Sequence, residues 1–184
     1  FLKTAYATTM NPHTTTRQWG QMRTASGSSI NPSGLIEQAS DILGSSFKMD
    51  DYLLTHCTIV ASVDVEDAPN VKLGNFRLPS ENVLRKWADY LVTPESTPWI
   101  NNNLDAFERR ALLKAYPTFI GAHNFLEHVQ LEEHSKGRVI DAAARDIGDS
   151  LYIDILVATE RTHRDLIASI QSGNLGTLSM GCSI

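Results

Sequence analysis

The residues of this chain that could do chemistry are a serine near its end and a histidine upstream of it. Ser179 lies in a predicted strand over 175–184, where alternation places its hydroxyl opposite the apolar row, and Gly181 permits close approach of a substrate. A serine nucleophile needs a base to accept its proton and a third group to orient that base. His128 is the candidate base, with a surface histidine as the alternative interpretation, just as Ser179 has the alternative of an ordinary strand serine.

Other chemistry is weakly supported by residue spacing. His123, His128 and His134 are five and six residues apart, which matches neither a helical i,i+4 pair nor a zinc finger, even with Cys182 as a fourth ligand. Cys182 is also an alternative nucleophile, but it shares the predicted buried side of its strand and is expected to be inert. No GxxxxGK(S/T) or GxGxxG phosphate-binding motif is present, so phosphate binding is also weakly supported.

Composition and charge exclude several classes of protein. The 184 residues are 42% hydrophobic and 20% charged, which is typical of a globular domain. A net charge of −5 argues against a dedicated nucleic-acid binder, and no apolar run approaches the ~20 residues of a membrane span. Two cysteines, Cys57 and Cys182, cannot build a disulfide framework, so a reducing compartment is expected.

The chain divides by composition into two parts. Residues 1–34 contain seven Thr, four Ser and no Asp or Glu, and they predict an extended polar N-terminal arm. Trp19 and Met22 are the residues in it that could anchor the arm on a neighbouring subunit. Residues 35–184 have a globular pattern and are predicted to form the main domain.

Periodicity predicts the elements of this domain. Helices are expected over 35–43 (ending at Gly44), 81–92, 104–115 and 160–172 (capped by Thr159 and ending at Gly173). Strands are expected over 52–65, 137–144, 150–158 and 175–184, with the middle two forming a hairpin. His163 falls on the apolar side of the last helix and is expected to be a core or boundary histidine.

The order of motifs from Phe119 to Ile184 resembles the capsid maturation (prohead) serine proteases of tailed bacteriophages. His128 stands nine residues before Gly137, which opens a Gly-Arg-Val strand. The motifs that follow are a partner strand (Leu151–Ala158), a helix with the pattern Leu-Ile-x-x-Ile-x-x-Gly (Leu166–Gly173) and the tripeptide Ser179-Met180-Gly181. Together these motifs cover about 65 residues in the family's order.

This resemblance implies a fold and an activity. The expected fold is α+β, a small antiparallel β-barrel surrounded by helices, as in herpesvirus assembly proteases. The expected activity is that of a serine endopeptidase with Ser179 as nucleophile, His128 as general base and no cofactor. Its implied substrates are scaffold and major capsid proteins and the enzyme itself, inside the prohead in the host cytoplasm. Contact with the portal and a homodimer are further implied partners, whereas a membrane and a specific nucleic acid are not.

The third catalytic group is less defined by the resemblance. In the herpesvirus branch it lies beyond the serine, as does an arginine-bearing loop of the oxyanion hole. This chain ends five residues after Ser179, at Ile184, so either those parts have been removed or the orienting group lies upstream. Upstream, Asp154 is the candidate because it leaves the apolar face of its strand, with a solvent-facing carboxylate as the alternative. Glu127 ranks lower because on a strand it would point away from His128.

A non-catalytic function is the competing interpretation. The chain would then be a protease-like structural component of the phage head or portal region. The polar arm fits this interpretation, because arms that thread onto neighbouring subunits are common in symmetric shells. The arm's charge of +3 could also touch packaged DNA, but it does not define a nucleic-acid-binding module.

Overall fold

The structure of the chain is a computed structural model. It describes residues 10–11, 14–25, 32–63, 107–126, 132–147, 150–176 and 178.

A single antiparallel sheet is the centre of the described fold, in the strand order β1-β2-β6-β5-β4. Its strands are β1 (Met10–Asn11), β2 (Tyr52–Val63), β4 (His123–Phe125), β5 (Ser135–Ile147) and β6 (Ser150–Glu160). A two-residue strand, β3 (Phe107–Glu108), pairs in parallel with the end of β2. The expected α+β class is confirmed, but the expected closed barrel is wrong for the described residues. There the sheet is open, because β1 and β4 lie at its two edges and each pairs with one strand only.

The long strands lie where the sequence predicts them. Strand β2 covers the described part of the 52–65 prediction, and β5 and β6 form the predicted antiparallel hairpin. Both hairpin strands are longer than expected, and their pairing continues to Ile147 and Ser150. Apolar and β-branched residues dominate these segments, which favours buried strands over helices.

A register shift in β5 changes which face its residues occupy. The pairing with β6 moves from Val139 directly to Asp141, so Ile140 is the extra residue of a β-bulge. As a result, Ile140 and Asp141 both contact residues on the same side of the sheet, although they are neighbours in the sequence. A similar shift occurs in β2 between Thr58 and Val60.

The two faces of the sheet are covered by different helices. On one side, the α1/α2 face, the sheet packs against α1 (Thr16–Ala25), α2 (Pro32–Leu43) and the loop residue Phe47. The opposite side, the α3 face, packs against α3 (Arg109–Ala115) and the 3₁₀ helix Tyr116–Phe119. Strand β6 alternates between them, with Ile155 and Val157 on the α3 face and Leu156 and Ala158 on the α1/α2 face.

Helix ends agree with the sequence better than helix starts. Helix α2 begins three residues before the predicted 35–43, whereas Gly44 and Gly173 follow α2 and α4 (Arg164–Gln171) in the left-handed conformation. Thr159 does not cap α4 as expected, because β6 continues through it to Glu160. The half-buried His163 occupies the cap position instead, which agrees with a boundary histidine.

The polar N-terminal segment differs most from its prediction. Residues 16–25 are helical rather than extended, and the side chain of Trp19 is 0% exposed in the core of its own chain instead of lying on a neighbour. The side chain of Met22 lies outside the described part. The residue pattern did not predict this helix, because the segment is rich in Thr and Gln and Trp19 is its one large aromatic residue.

Two further predictions are corrected where the chain is described. The helix expected over 104–115 begins at Arg109, since Phe107 and Glu108 form β3. Residues 175, 176 and 178 are not in a strand, and the remainder of the predicted strand over 175–184 lies outside the described residues. The helix expected over 81–92 also lies outside them.

Gly137 is required where β5 approaches β6. A Cβ atom built there would collide with the carbonyl oxygen of Ala158 and would lie 3.0 Å from the Thr159 Cα. Gly137→Ala is therefore expected to lower the free energy of unfolding by about 1–3 kcal/mol, the usual cost of overpacking. Chemical denaturation measures this loss. Gly176→Ala is the matched control, since its nearest neighbour lies 3.5 Å away, and an equal loss in both variants would contradict the steric explanation.

Candidate functional site

The two residues predicted to react, Ser179 and His128, lie outside the described residues, so the site is defined here by what flanks them. Leu178, the residue directly before Ser179, is half-buried and packs against a cluster on the α3 face. The buried members of that cluster are Cys57, Val139, Ala142, Ile155 and Val157. Ala122, which directly precedes β4, packs against the same cluster.

The flanks of His128 belong to the edge formed by β4 and β5. The described chain stops at Leu126, one residue after β4, and resumes at Glu132 just before β5. The two strands pair through Phe125 with Ser135 and through Asn124 with Gly137. We call this edge, together with the cluster that Leu178 and Ala122 cover, the β4–β5 corner.

Backbone hydrogen bonds fix the turn that leads into this corner. The Gly121 amide donates to the Val139 carbonyl at 2.8 Å, and the Val139 amide donates to the Ala122 carbonyl at 2.9 Å. Arg138 adds a side-chain bond, because its Nε donates to the Gly121 carbonyl at 2.9 Å. Gly121 has φ +87°, a backbone conformation that favours glycine, so a residue with a side chain at this position would strain the turn.

Asp154 lies inside the protein, and not on its surface. Its side chain is 0% exposed, so the alternative of a solvent-facing carboxylate is wrong. Thr58 Oγ1 donates to Asp154 Oδ1 at 2.7 Å, and Arg145 Nε donates to Oδ2. His56 Nε2 lies 3.2 Å from Oδ2. The role of Asp154 as the third catalytic group stays a prediction, because His128, the base it was expected to orient, lies outside the described residues.

Opposing effects set the ionisation of Asp154. Burial on its own would raise the pKa of this carboxyl. The contacts with His56, Arg145 and Thr58 favour the charged form and hold the pKa below its ordinary value. Asp154 is therefore a carboxylate at neutral pH, and the charge it carries is matched by the guanidinium of Arg145.

The sheet separates Asp154 from Leu178. By alternation along β6, Asp154 shares the α1/α2 face with Leu156 and Ala158, whereas Leu178 packs on the α3 face. His56, which the sequence interpretation did not select, lies on the same face as Asp154. The signal for it was available: His56 and Thr58 are polar residues spaced by two in a mostly apolar strand.

A second buried carboxylate, Asp141, joins helices α1 and α2 to the sheet. Trp19 Nε1 donates to its Oδ2 at 2.6 Å, and Arg23 pairs with the same oxygen at 2.5 Å. Gln38 Nε2, on α2, donates to Oδ1 at 3.2 Å. The Trp19 ring also contacts the His56 ring edge to face, with centroids 5.3 Å apart, so one aromatic contact connects the surroundings of the two carboxylates.

The thiol of Cys57 is not a nucleophile at neutral pH. It is a member of the core, and burial, with a smaller contribution from the charge of Asp154, raises its pKa to about 12. The thiol therefore stays protonated and packs as a small apolar group. Cys182, the alternative nucleophile considered from the sequence, lies outside the described residues.

Within the described ranges, no three His, Cys, Asp or Glu side chains come together in a way that would hold a metal ion. The helices of these ranges are also all too short or too polar to cross a membrane.

Comparisons with protein-family models, with curated proteins and with solved structures found no match to this chain.

Proposed function

We propose that the chain is a serine endopeptidase of the phage head-maturation type, with Ser179 as nucleophile and His128 as general base. The observation that carries the proposal is the β4–β5 corner. Leu178 directly precedes Ser179 and packs on the same cluster as Ala122, while β4 leads within three residues into the segment that contains His128. Ser179 and His128 are 51 positions apart in the sequence, and Leu178 and Ala122, which lie near them along the chain, pack against one cluster on the α3 face.

The chemistry that suits these residue types is acyl transfer. His128 takes the hydroxyl proton as Ser179 Oγ attacks a peptide carbonyl, and the imidazolium then gives that proton to the leaving amine. Water, deprotonated by the same imidazole, hydrolyses the acyl-enzyme and restores the serine. No metal or organic group takes part in these steps.

Asp154 has a structural part in this proposal. Its carboxylate is already engaged by Thr58, Arg145 and His56, and it lies on the face opposite Leu178. A carboxylate that orients the base must reach the imidazole nitrogen that the serine does not use. The contacts that the structure describes for Asp154 are therefore structural ones, and its role as the third catalytic group stays a prediction.

The proposed substrates are the scaffold and major capsid proteins inside the prohead, followed by the protease itself, with contact to the portal and homodimer formation as further proposed interactions. The motif order His128, Gly137-Arg138-Val139, β6, α4 and Ser179 supports this assignment. Along this chain, the hairpin β5–β6 and helix α4 lie between the proposed base and the proposed nucleophile. This order also supports the proposed relationship to the herpesvirus proteases.

Labelling with a fluorophosphonate probe tests the proposal directly. The reagent phosphonylates activated serines, so the full-length gene product is expected to gain one adduct, mapped by mass spectrometry to Ser179. His128→Ala should remove the adduct, whereas His134→Ala, an exposed histidine six residues later, should retain it. Absence of the adduct in the folded wild type, or its persistence in His128→Ala, would overturn the proposal in favour of a non-catalytic component of the head.

A further inference from the structure

We infer that the N-terminal strap, residues 10–11 and 14–25, is a releasable cover over the His56–Asp154 pair, and that its hold on the sheet depends on Asp141. This inference is independent of Ser179, because the pair and the strap lie on the face away from Leu178.

Both described parts of the strap meet at His56. Strand β1 pairs with the edge of β2 so that Asn11 is opposite His56. Helix α1 then places the Trp19 ring against the imidazole at 5.3 Å and an interplanar angle of 68°. With the strap in place, the His56 side chain is only 17% exposed.

The first turn of helix α1 is capped by residues of the strap itself. Thr15 and Gln18 form a reciprocal capping box, in which the Thr15 amide donates to Gln18 Oε1 at 2.8 Å and the Gln18 amide donates to Thr15 Oγ1 at 3.2 Å. These bonds are internal to the strap, so they are not lost when the helix moves away from the sheet.

The described contacts of α1 with the sheet centre on Trp19 and Arg23. Among its side chains that the structure describes, Arg17, Gln18 and Gln21 are exposed, and Trp19 is the one large apolar group that is buried. The side chains of Trp19 and Arg23 both bind the same oxygen of Asp141, Oδ2. A segment with few buried apolar contacts opens at lower free energy than the strands of a core.

Release of the strap would expose a group suited to proton transfer. His56 Nε2 lies 3.2 Å from an oxygen of the buried Asp154, and an imidazole beside a carboxylate is the usual general acid–base arrangement. The strap thus controls access to an acid–base pair that is separate from the β4–β5 corner.

Hydrogen exchange on the wild-type full-length protein is the first test, since it needs no variant. The amides of α1 are expected to exchange at least about 10-fold faster than those of β5 and β6, because α1 opens without the sheet. In parallel, diethylpyrocarbonate reports access to each imidazole, with the exposed His134 as the reference for full reactivity.

The variant Asp141→Asn then tests the hold itself. It should raise the rate of His56 modification by at least about 10-fold, the size expected when a charged hydrogen bond is lost. Asp165→Asn, an exposed carboxylate in the first turn of α4, is the matched control and should leave the rate unchanged. Equal exchange rates for α1 and the central strands in the wild type would overturn the inference. So would an Asp141→Asn variant in which His56 modification stays at the wild-type rate.

Discussion

Replacing Ser179 with alanine is expected to abolish proteolysis of the scaffold and capsid proteins. The variant removes the atom that forms the acyl-enzyme, and loss of such a serine lowers kcat by roughly 10⁶-fold in serine hydrolases, with the remaining rate due to the oxyanion hole and binding. The measurement is co-expression of the full-length gene with the scaffold and capsid genes, followed by mass spectrometry of the products. New chain ends should appear with the wild type and be absent with Ser179→Ala.

Matched variants separate this result from a folding defect. Ser172→Ala changes an exposed serine just after α4 and should leave every cleavage product in place. His128→Ala should lose the same products as Ser179→Ala, because base and nucleophile act as one unit. If the wild type cuts neither its partners nor itself, or if Ser179→Ala still cuts, Ser179 is an ordinary serine and the endopeptidase assignment fails.

Asp154→Ala is expected to cause the largest loss of stability, about 3–5 kcal/mol in the free energy of unfolding. The variant leaves the guanidinium of Arg145 beside His56 without the carboxylate that compensates it, in a site where Asp154 is fully buried. Equilibrium denaturation measures the loss. Asp165→Asn, which changes an exposed carboxylate, should stay within about 0.5 kcal/mol of the wild type. A similar loss in the free energy of unfolding for both variants would show that the Arg145–Asp154 pair does not stabilise the fold.

The effect of Asp154 should also depend on pH in a defined direction. Its folded pKa is lowered from the ordinary 3.8, so between the two values the unfolded chain binds more protons than the folded one. The contribution is therefore complete above pH 3.8 and is lost as the pH falls through the lowered folded pKa. The stability gap between wild type and Asp154→Asn should narrow as the pH falls below about pH 4. A difference in the free energy of unfolding that widens below about pH 4 would contradict the lowered pKa of Asp154 in the folded protein.

Local pattern was sufficient to predict the central strands. The alternation in 150–158, with Leu151 and Ile153 on one side and Asp154 on the other, specifies a strand whatever its partners are. The hairpin with 137–144 followed from a short polar link, and Gly44 and Gly173 marked helix ends because their conformations favour glycine. Each of these signals is contained within a few neighbouring residues.

What the sequence did not predict depends on contacts between distant segments. The helix containing Trp19 is stabilised by a carboxylate 122 residues away, so its own polar composition suggested an extended arm. The bulge at Ile140, which turns Asp141 toward that helix, has no signature in a single sequence. The burial of Asp154 is equally unpredictable from a single sequence. The contacts of its carboxylate with Arg145 and His56 form only when the strands β2, β5 and β6 are in register.

The pairing of β2 with β6 also determines the order in which the chain can fold. Arg145 and Asp154 are 9 residues apart, so the β5–β6 hairpin closes a short loop, whereas Thr58 and Asp154 are separated by 96 residues. Non-local pairings form slowly because the entropy of closing the long loop must be overcome first. During synthesis β2 therefore leaves the ribosome well before its partner exists. Most of its residues must wait for their strand partner until β6 emerges, so this strand is exposed to aggregation and to chaperone binding in the nascent chain.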